Sequence, residues 1–314
     1  MELNELRRMW GGFQASRVIM TANELGFFDK LTKARTAGEC ARILKCNSRG
    51  SEILLDALAG LGLVKKSSGK YRNTPVSDEY LVKGKPLYQG DILRHTAHIY
   101  ERWGQLEQVV RTGKPTPRRE GGFESFIMGM HNLSVLRSPE LLGAIGLKGV
   151  KRALDLGGGP GTHAINMARR GIEATIFDMP ETIAIAKKVA RREGVKGIKY
   201  IKGNFHYDEI GSGYDLILMS QILHSNSSGE NSRLVAKCAA VLNPGGRIAV
   251  HEFPLDESRT RPVSGALFSI NMLVATSGGR TYAPSEIKGW LRAAGMKGVK
   301  QTMLKETMLI TGKL

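Results

Sequence analysis

Residues 222 to 229 read ILHSNSSG, an apolar pair that runs into a histidine and then into a polar, turn-forming tail. A histidine at such a seam is either a strand-end side chain with its ring in solvent or the proton-handling group of a site built on that edge. The chemistry open to an imidazole is proton transfer: a neutral ring can accept a proton through its free nitrogen. Upstream, LDLGGGPGTHA places Gly157, Gly159 and Gly161 behind Asp155, after an apolar strand and at the start of a helical pattern. Glycines in that position let a backbone approach a ligand closely.

The spacing narrows the ligand. A dinucleotide fingerprint started at Gly157 requires Gly or Ala at position 162 and meets Thr162, which disfavours nicotinamide redox chemistry. The G-x-G-x-G pattern preceded by Asp155 is instead the loop of S-adenosylmethionine enzymes, whose cofactor has no pyrophosphate. About twenty residues on, the second strand, ATIFD, ends at Asp178, where an acidic side chain can accept both hydroxyls of a ribose. The next strand ends at GNFH; Asn204 and Phe205 there meet an adenine, or Phe205 is a core ring. Cys40, Cys46 and Cys238 show no zinc-ligand spacing, and no metal site is expected.

Two sets of elements must position these groups. The first hundred or so residues read as helices with one hairpin: RVIMTANELGFFDKL carries Val18, Ile19, Ala22, Leu25 and Phe28 at helical spacing, TAGECARIL and SRGSEILLDALAGLGLV each begin at Thr or Ser, and GLVKKSSGKYRNT forms two strands around Ser67, Ser68 and Gly69. That is a winged-helix order. A DNA-reading helix would present several cationic or amide side chains, whereas SRGSEILLDALAGLG offers Arg49 and little after it. Composition shifts within residues 109 to 122, so the predicted domains are 1–112 and 113–314. From Arg152 onward short apolar strands alternate with helices, which predicts an α/β fold with a Rossmann-like, doubly wound parallel sheet and ligands at the strand carboxyl ends.

Bulk composition excludes little but agrees. The chain has 314 residues, 41% hydrophobic and 24% charged, without an apolar run long enough to span a bilayer. Its beginning, MELNELRRMW, does not read as a secretory signal, and three cysteines cannot all pair, so a reduced, cytoplasmic protein is expected. The net charge of +17 is spread over doublets from Arg7-Arg8 through Lys65-Lys66, Arg118-Arg119 and Arg169-Arg170 to Arg191-Arg192. Such spacing predicts a basic, solvated surface and no nucleic-acid partner.

Taken in order, ELGFFDKL, LLDALAGLGLV, ALDLGGGPGTHAI, FDMPETI, ILHS, LNPGGRIAVHE and GGRTYAPSEI resemble the small-molecule O-methyltransferases of the caffeate and hydroxyindole type nearly end to end. The resemblance implies an N-terminal winged-helix dimerisation domain, a catalytic domain of the S-adenosylmethionine methyltransferase fold, and a homodimer whose N-terminal helices help close the partner's pocket. It implies that the glycine loop, Asp178 and Met179 hold the cofactor's amino-acid end and ribose, with Asn204 and Phe205 at the adenine, and that Ser220, where plant members carry a lysine, also binds the cofactor. His224 falls on the family's catalytic base and Glu252 on an acid that steadies it. Phe126, Met130, His131, Asn271 and Met272 fall on substrate-contacting positions. Where the family has Asp-Trp after its base, Ser225-Asn226 stand here, and a second acid near GGRT is missing.

The implied reaction is methyl transfer to a hydroxyl of an aromatic or isoprenoid-like molecule, leaving S-adenosylhomocysteine. Two alternatives are carried: C-methylation of a tetrapyrrole or similar ring, and a non-catalytic regulator that senses the cofactor. His131, His163, His206 and His251 are expected to be surface or supporting residues.

Overall fold

The computed structural model describes residues 2–117 and 121–314; the Arg118-Arg119 doublet lies outside them. The chain forms two compact units, 1–100 with 121–133 and 101–120 with 134–314.

The first unit is helical, with a small sheet. Helix Leu3–Leu25 ends at Gly26, whose φ of 81° only glycine adopts without strain. Helix Ala37–Leu44 starts at Thr36, which forms a capping box with Glu39. Helix Ser48–Gly60 is capped by Asn47 rather than by Ser48, because the Asn47 side chain accepts from the Gly50 N–H. Strands β1 (Arg35–Thr36), β2 (Val64–Ser67) and β3 (Lys70–Asn73) pair antiparallel in the order β1-β3-β2. The two-residue β1 escapes a pattern reading, being too short to alternate. Phe27, Phe28, Leu31, Leu55, Leu58 and Tyr71 fill this unit's core.

The second unit is a seven-stranded mixed sheet in the order β6-β5-β4-β7-β8-β10-β9. Its strands are β4 (Arg152–Leu156), β5 (Glu173–Asp178), β6 (Lys199–Lys202), β7 (Tyr214–Ser220), β8 (Leu242–Glu252), β9 (Lys297–Met303) and β10 (Met308–Lys313). The five from β6 to β8 run parallel, as the alternating pattern predicts. Strand β10 departs from the all-parallel expectation: it pairs antiparallel with both β8 and β9. A short link between β9 and β10 permits only a hairpin, and reversal follows. Strand β9, KGVKQTM, is exposed and lysine-bearing, the composition of a guarded sheet edge, and offers no apolar run to read.

From β4 the chain winds outward through β5 and β6, then crosses back to β7 and β8. The strand order therefore reverses between β4 and β7, which opens a crevice at their carboxyl ends. Asp155 and Ser220 stand at those ends, and Glu252 ends β8 next door.

Candidate active site

At the end of β4 the backbone turns through Gly157, Gly159 and Gly161, all with positive φ. Their demands differ. A Cβ at Gly157 would lie 2.8 Å from the Ile222 side chain, and one at Gly161 2.5 Å from Ile176, so these two glycines serve close packing. A Cβ at Gly159 would meet nothing within 4 Å, and this glycine borders open space. Its N–H donates to Asp178 Oδ2 at 2.8 Å, while Met179 N–H donates to Oδ1 at 2.7 Å. Burial pushes the Asp178 carboxyl above its ordinary range despite those donors. Asp155 is fully buried beneath the loop. Its Oδ2 accepts from Ala164 N–H at 3.2 Å and its Oδ1 has no partner among the described residues. Burial, aided by the charge of Asp178, raises its pKa to about 7.

An orphaned carboxylate oxygen, an open glycine and a strand-end acid make a cradle suited to a ligand with a cationic end and hydroxyls to donate. Asn204 spends its side-chain carbonyl on the His206 N–H at 3.0 Å, leaving its amide N–H groups for a ligand. Phe205 packs against the sheet core, with the His206 ring 4.7 Å from it, and also borders Gly157. Asn226 stands where the resemblance expects a stacking ring, but it is buried and bound: its amide donates to Asn231 Oδ1, its Oδ1 lies 3.2 Å from His206 Nε2, and its backbone carbonyl accepts from the Tyr282 hydroxyl.

The second cluster lies where β7 and β8 end. His224 sits on a 3-10 turn, Leu223–Ser225, with only 8% of its surface exposed; Glu252 is 3% exposed. Glu252 Oε2 is 2.7 Å from His224 Nδ1, and Oε1 accepts from the N–H groups of Leu223 (2.9 Å) and His224 (3.3 Å). An ionised carboxylate only accepts hydrogen bonds, so Nδ1 carries the proton and the lone pair of a neutral ring lies on Nε2. Among the described residues nothing bonds to Nε2. Phe268 stands edge-on to the ring at 4.8 Å, Phe253 lies at 5.9 Å, and the two phenyl rings are 3.9 Å apart. The His224 ring thus packs against an aromatic pair. Glu252 is the one acid within hydrogen-bonding distance of His224 among the described residues.

Ser220 is not a free strand-end hydroxyl. It is 2.8 Å from His251 Nδ1 and 3.3 Å from His163 Nε2. Both rings are buried, which fits the supporting rather than the surface side of the expectation; burial lowers His163 to about 4, and burial with the charges of His163 and Arg137 lowers His251 to about 3. Asn271 Oδ1 accepts from Trp103 Nε1–H at 3.2 Å, and Met272 beside it is buried. Phe126, Met130 and His131 belong to the first unit, where Phe126 lies 4.9 Å from His95, Met130 is half-buried and His131 is buried.

Sequence reasoning missed Phe253, Phe268 and Trp103. Phe253 directly follows Glu252, and Phe268 lies three residues before Asn271 on one helical face; those were usable signals. Trp103 has none, being far away in sequence. Among the described residues no group of three or more His, Cys, Asp or Glu could hold a metal ion, and no helix is long and apolar enough to cross a membrane.

Comparison with known proteins gives a consistent answer. The O-methyltransferase domain family matches residues 113–297 and the O-methyltransferase dimerisation domain matches residues 8–83. The chain is 35% identical over 304 residues to a 3-hydroxy-5-methyl-1-naphthoate 3-O-methyltransferase of Streptomyces sahachiroi, covering 92% of this chain and 88% of that one. It is 32% identical to acetylserotonin O-methyltransferase of Macaca mulatta, covering 93% and 92% of the two chains. The solved structure of human N-acetylserotonin methyltransferase in complex with SAM superposes with a TM-score of 0.91 at 29% identity, covering 99% of this chain and 96% of that one.

Proposed function

Because the chain belongs to the O-methyltransferase family, we propose that it methylates a hydroxyl of an aromatic small molecule, with S-adenosylmethionine as donor and His224 as general base. The observation that carries this is the 2.7 Å contact between His224 Nδ1 and Glu252 Oε2, which leaves the Nε2 lone pair of a ring packed against Phe253 and Phe268 without a partner among the described residues. A phenol of pKa about 10 keeps its proton near neutrality and needs such an acceptor. Nε2 takes that proton, and Glu252 stabilises the imidazolium that forms. When bound, the cofactor supplies an electrophilic sulfonium methyl. Asp155 and the glycine loop would hold its amino-acid end, Asp178 with Met179 its ribose, and Asn204 with Phe205 its adenine, in place of the stacking that Asn226 does not provide. Positioning of the hydroxyl beside the Phe253–Phe268 pair supplies the rest.

Asn271 is assigned to the acceptor. An indole N–H only donates, so Asn271 Oδ1 is taken and its amide N–H groups are left for an acceptor oxygen on the substrate. Naphthoate and hydroxyindole relatives support a hydroxyl target over a ring carbon, and a catalytic role over ligand sensing. We infer a homodimer as well, supported by the dimerisation match and by exposed Leu3, Leu6, Trp10 and Phe13, which repeat at heptad spacing along one helix; Trp10→Asp with Phe13→Asp should yield monomers in sedimentation. Helices followed by the β2–β3 hairpin support a winged-helix reading of that domain. The family matches, ending at 83 and resuming at 113, support the boundary at 112/113. Three free cysteines support a cytoplasmic setting.

Calorimetric titration of S-adenosylhomocysteine into wild type, Asp178→Ala and His224→Ala tests the reading, followed by a methylation screen of naphthols and hydroxyindoles. Binding by wild type and His224→Ala but not by Asp178→Ala is expected, with turnover abolished in His224→Ala. A folded wild type that binds no S-adenosylhomocysteine would sink it.

A further inference from the structure

His163 and His251 are buried titratable rings that the proposed chemistry does not use, and they belong to one continuous line of hydrogen bonds. Asn166 Nδ2 donates to Ser138 Oγ at 3.0 Å, and Ser138 Oγ is 3.1 Å from His163 Nδ1. His163 Nε2 is 3.3 Å from Ser220 Oγ, which is 2.8 Å from His251 Nδ1. His251 Nε2 is 2.9 Å from Thr307 Oγ1. An amide nitrogen can only donate, so Ser138 Oγ accepts from Asn166 and its own proton goes to His163 Nδ1. The direction then propagates: His163 Nε2–H to Ser220, Ser220 O–H to His251 Nδ1, His251 Nε2–H to Thr307. Run the other way, the line would leave the proton of fully buried Ser138 with no acceptor among the described residues, at the cost of an unmade buried hydrogen bond.

The line crosses the sheet at the point that matters for His224 and Glu252. Ser220 and His251 are register partners on β7 and β8. The next residue, Gln221, donates its N–H to the His251 carbonyl at 2.8 Å from a φ of 60°, which a non-glycine residue holds only under constraint. Three residues later the turn delivers His224, and the residue after His251 is Glu252. Hydroxyl and imidazole therefore fasten together the two strand ends whose extensions carry the base and its acid.

We propose that Ser220 is a positioning residue for the His224–Glu252 pair, joining His163 and His251 into a directed hydrogen-bond line that fixes both rings as neutral Nε2–H tautomers. Its functional meaning rests on the proposed general-base chemistry; the line itself does not. It also replaces the expectation that Ser220 is a cofactor ligand.

Nitrogen-15 spectra of the histidine rings in the full chain test the line without any variant or acceptor. Both buried rings should show the Nε2–H pattern between pH 6 and 8; an Nδ1–H ring, or a protonated one, overturns the proposal. The second arm follows the low-field proton on His224 Nδ1 that is shared with Glu252. In Ser220→Ala this signal should shift or broaden and in Ser220→Thr it should return, while S-adenosylhomocysteine affinity by calorimetry changes by less than about twofold. An unchanged His224 signal in folded Ser220→Ala overturns the positioning role. Loss of about tenfold in S-adenosylhomocysteine affinity with that signal intact would make Ser220 a cofactor ligand and overturn it equally. Failure of wild type to bind S-adenosylhomocysteine counts against the methyltransferase reading instead, and the ring tautomers still decide the line.

Discussion

The end of β4 and the ends of β7 and β8 solve different problems with different materials. At β4 the backbone does the work: three left-handed glycines, two N–H groups turned onto Asp178, and one buried acid with a vacant oxygen. At β7 and β8 side chains do it, with His224 held by Glu252 and the strands fastened through Ser220 and two imidazoles. A cradle for a ligand used in many enzymes can be built from backbone geometry, whereas a base must have one nitrogen held and the other bare. That requires side chains brought from distant positions.

Glu252→Gln tests the side-chain region most severely. A glutamine can still accept from Nδ1–H through its carbonyl, but its NH2 would then face the Leu223 and His224 N–H groups that now donate to Oε1. Donor against donor disrupts the turn, and the imidazolium loses its counter-charge. The rate constant kcat should fall by about a hundredfold or more, as for loss of a general base, with S-adenosylhomocysteine affinity within about threefold. A variant whose affinity collapses along with its rate would show that the two regions are not separable.

The backbone region is divided by two glycine substitutions. Gly161→Ala combines a φ of 78° with a Cβ 2.5 Å from Ile176; strain and overpacking together should cost about 3 kcal/mol of unfolding free energy. Gly159→Ala meets no neighbour, and its backbone penalty is about 1 kcal/mol. Its methyl would stand in open space on the loop proposed to hold the cofactor, and S-adenosylhomocysteine binding should weaken by more than about tenfold. Denaturant titration and calorimetry on the same two proteins suffice. Equal losses of stability would remove the distinction between a packing glycine and a cradle glycine.

The regions also carry opposite pH signs. His163 and His251 are lowered to about 4 and about 3, so on acidification the unfolded chain takes up their protons first. Stability from these rings is intact above pH 6.5 and lost as pH falls, on the order of 2 kcal/mol per ring by pH 5. Asp155 is raised to about 7, so the folded chain holds a proton that the unfolded chain has released. Its contribution is fully present below the ordinary carboxylate pKa and lost as pH rises through 7, again on the order of 2 kcal/mol between pH 5 and 7.5. The two partly cancel in wild type. Asp155→Asn removes one arm, and its stability should fall more steeply between pH 7 and 5 than wild type's. Superimposable curves would refute the assignment of opposite signs.

The same contrast explains what could be read from the sequence. Asp155, the three glycines and Asp178 are local and follow strand patterns, and the structure brings them together where the strand order reverses. Glu252 closes β8 and His224 follows an apolar pair on the turn after β7, and it was the family resemblance that paired them. Ser138, Thr307 and Trp103 were not, because only tertiary packing brings a serine of helix Phe123–Ile145 and a threonine before β10 to the same buried line. For His163 and His251 the sequence left surface and supporting roles open for a related reason: a polar residue's burial cannot be read until its partners are known. The hairpin of β9 and β10 escaped because a lysine-bearing edge strand lacks the apolar pattern that identifies its neighbours.

The gentlest change addresses the acceptor. Trp103→Phe keeps an aromatic ring against helix Val263–Ala275 and deletes one N–H, the donor that occupies Asn271 Oδ1. Freed, the amide can rotate and present its carbonyl, so its preference for an acceptor oxygen on the substrate disappears. With S-adenosylhomocysteine present, wild type should bind 3-hydroxy-1-naphthamide more tightly than 2-naphthol, and Trp103→Phe should reduce that ratio by about threefold to tenfold, the worth of one net hydrogen bond. Affinity for 2-naphthol, which offers no carbonyl, should hardly change. If the variant weakens both compounds equally, Trp103 contributes shape alone and Asn271 is not held as a donor; if wild type does not discriminate between them, substrate selection rests on the aromatic walls of Phe253 and Phe268.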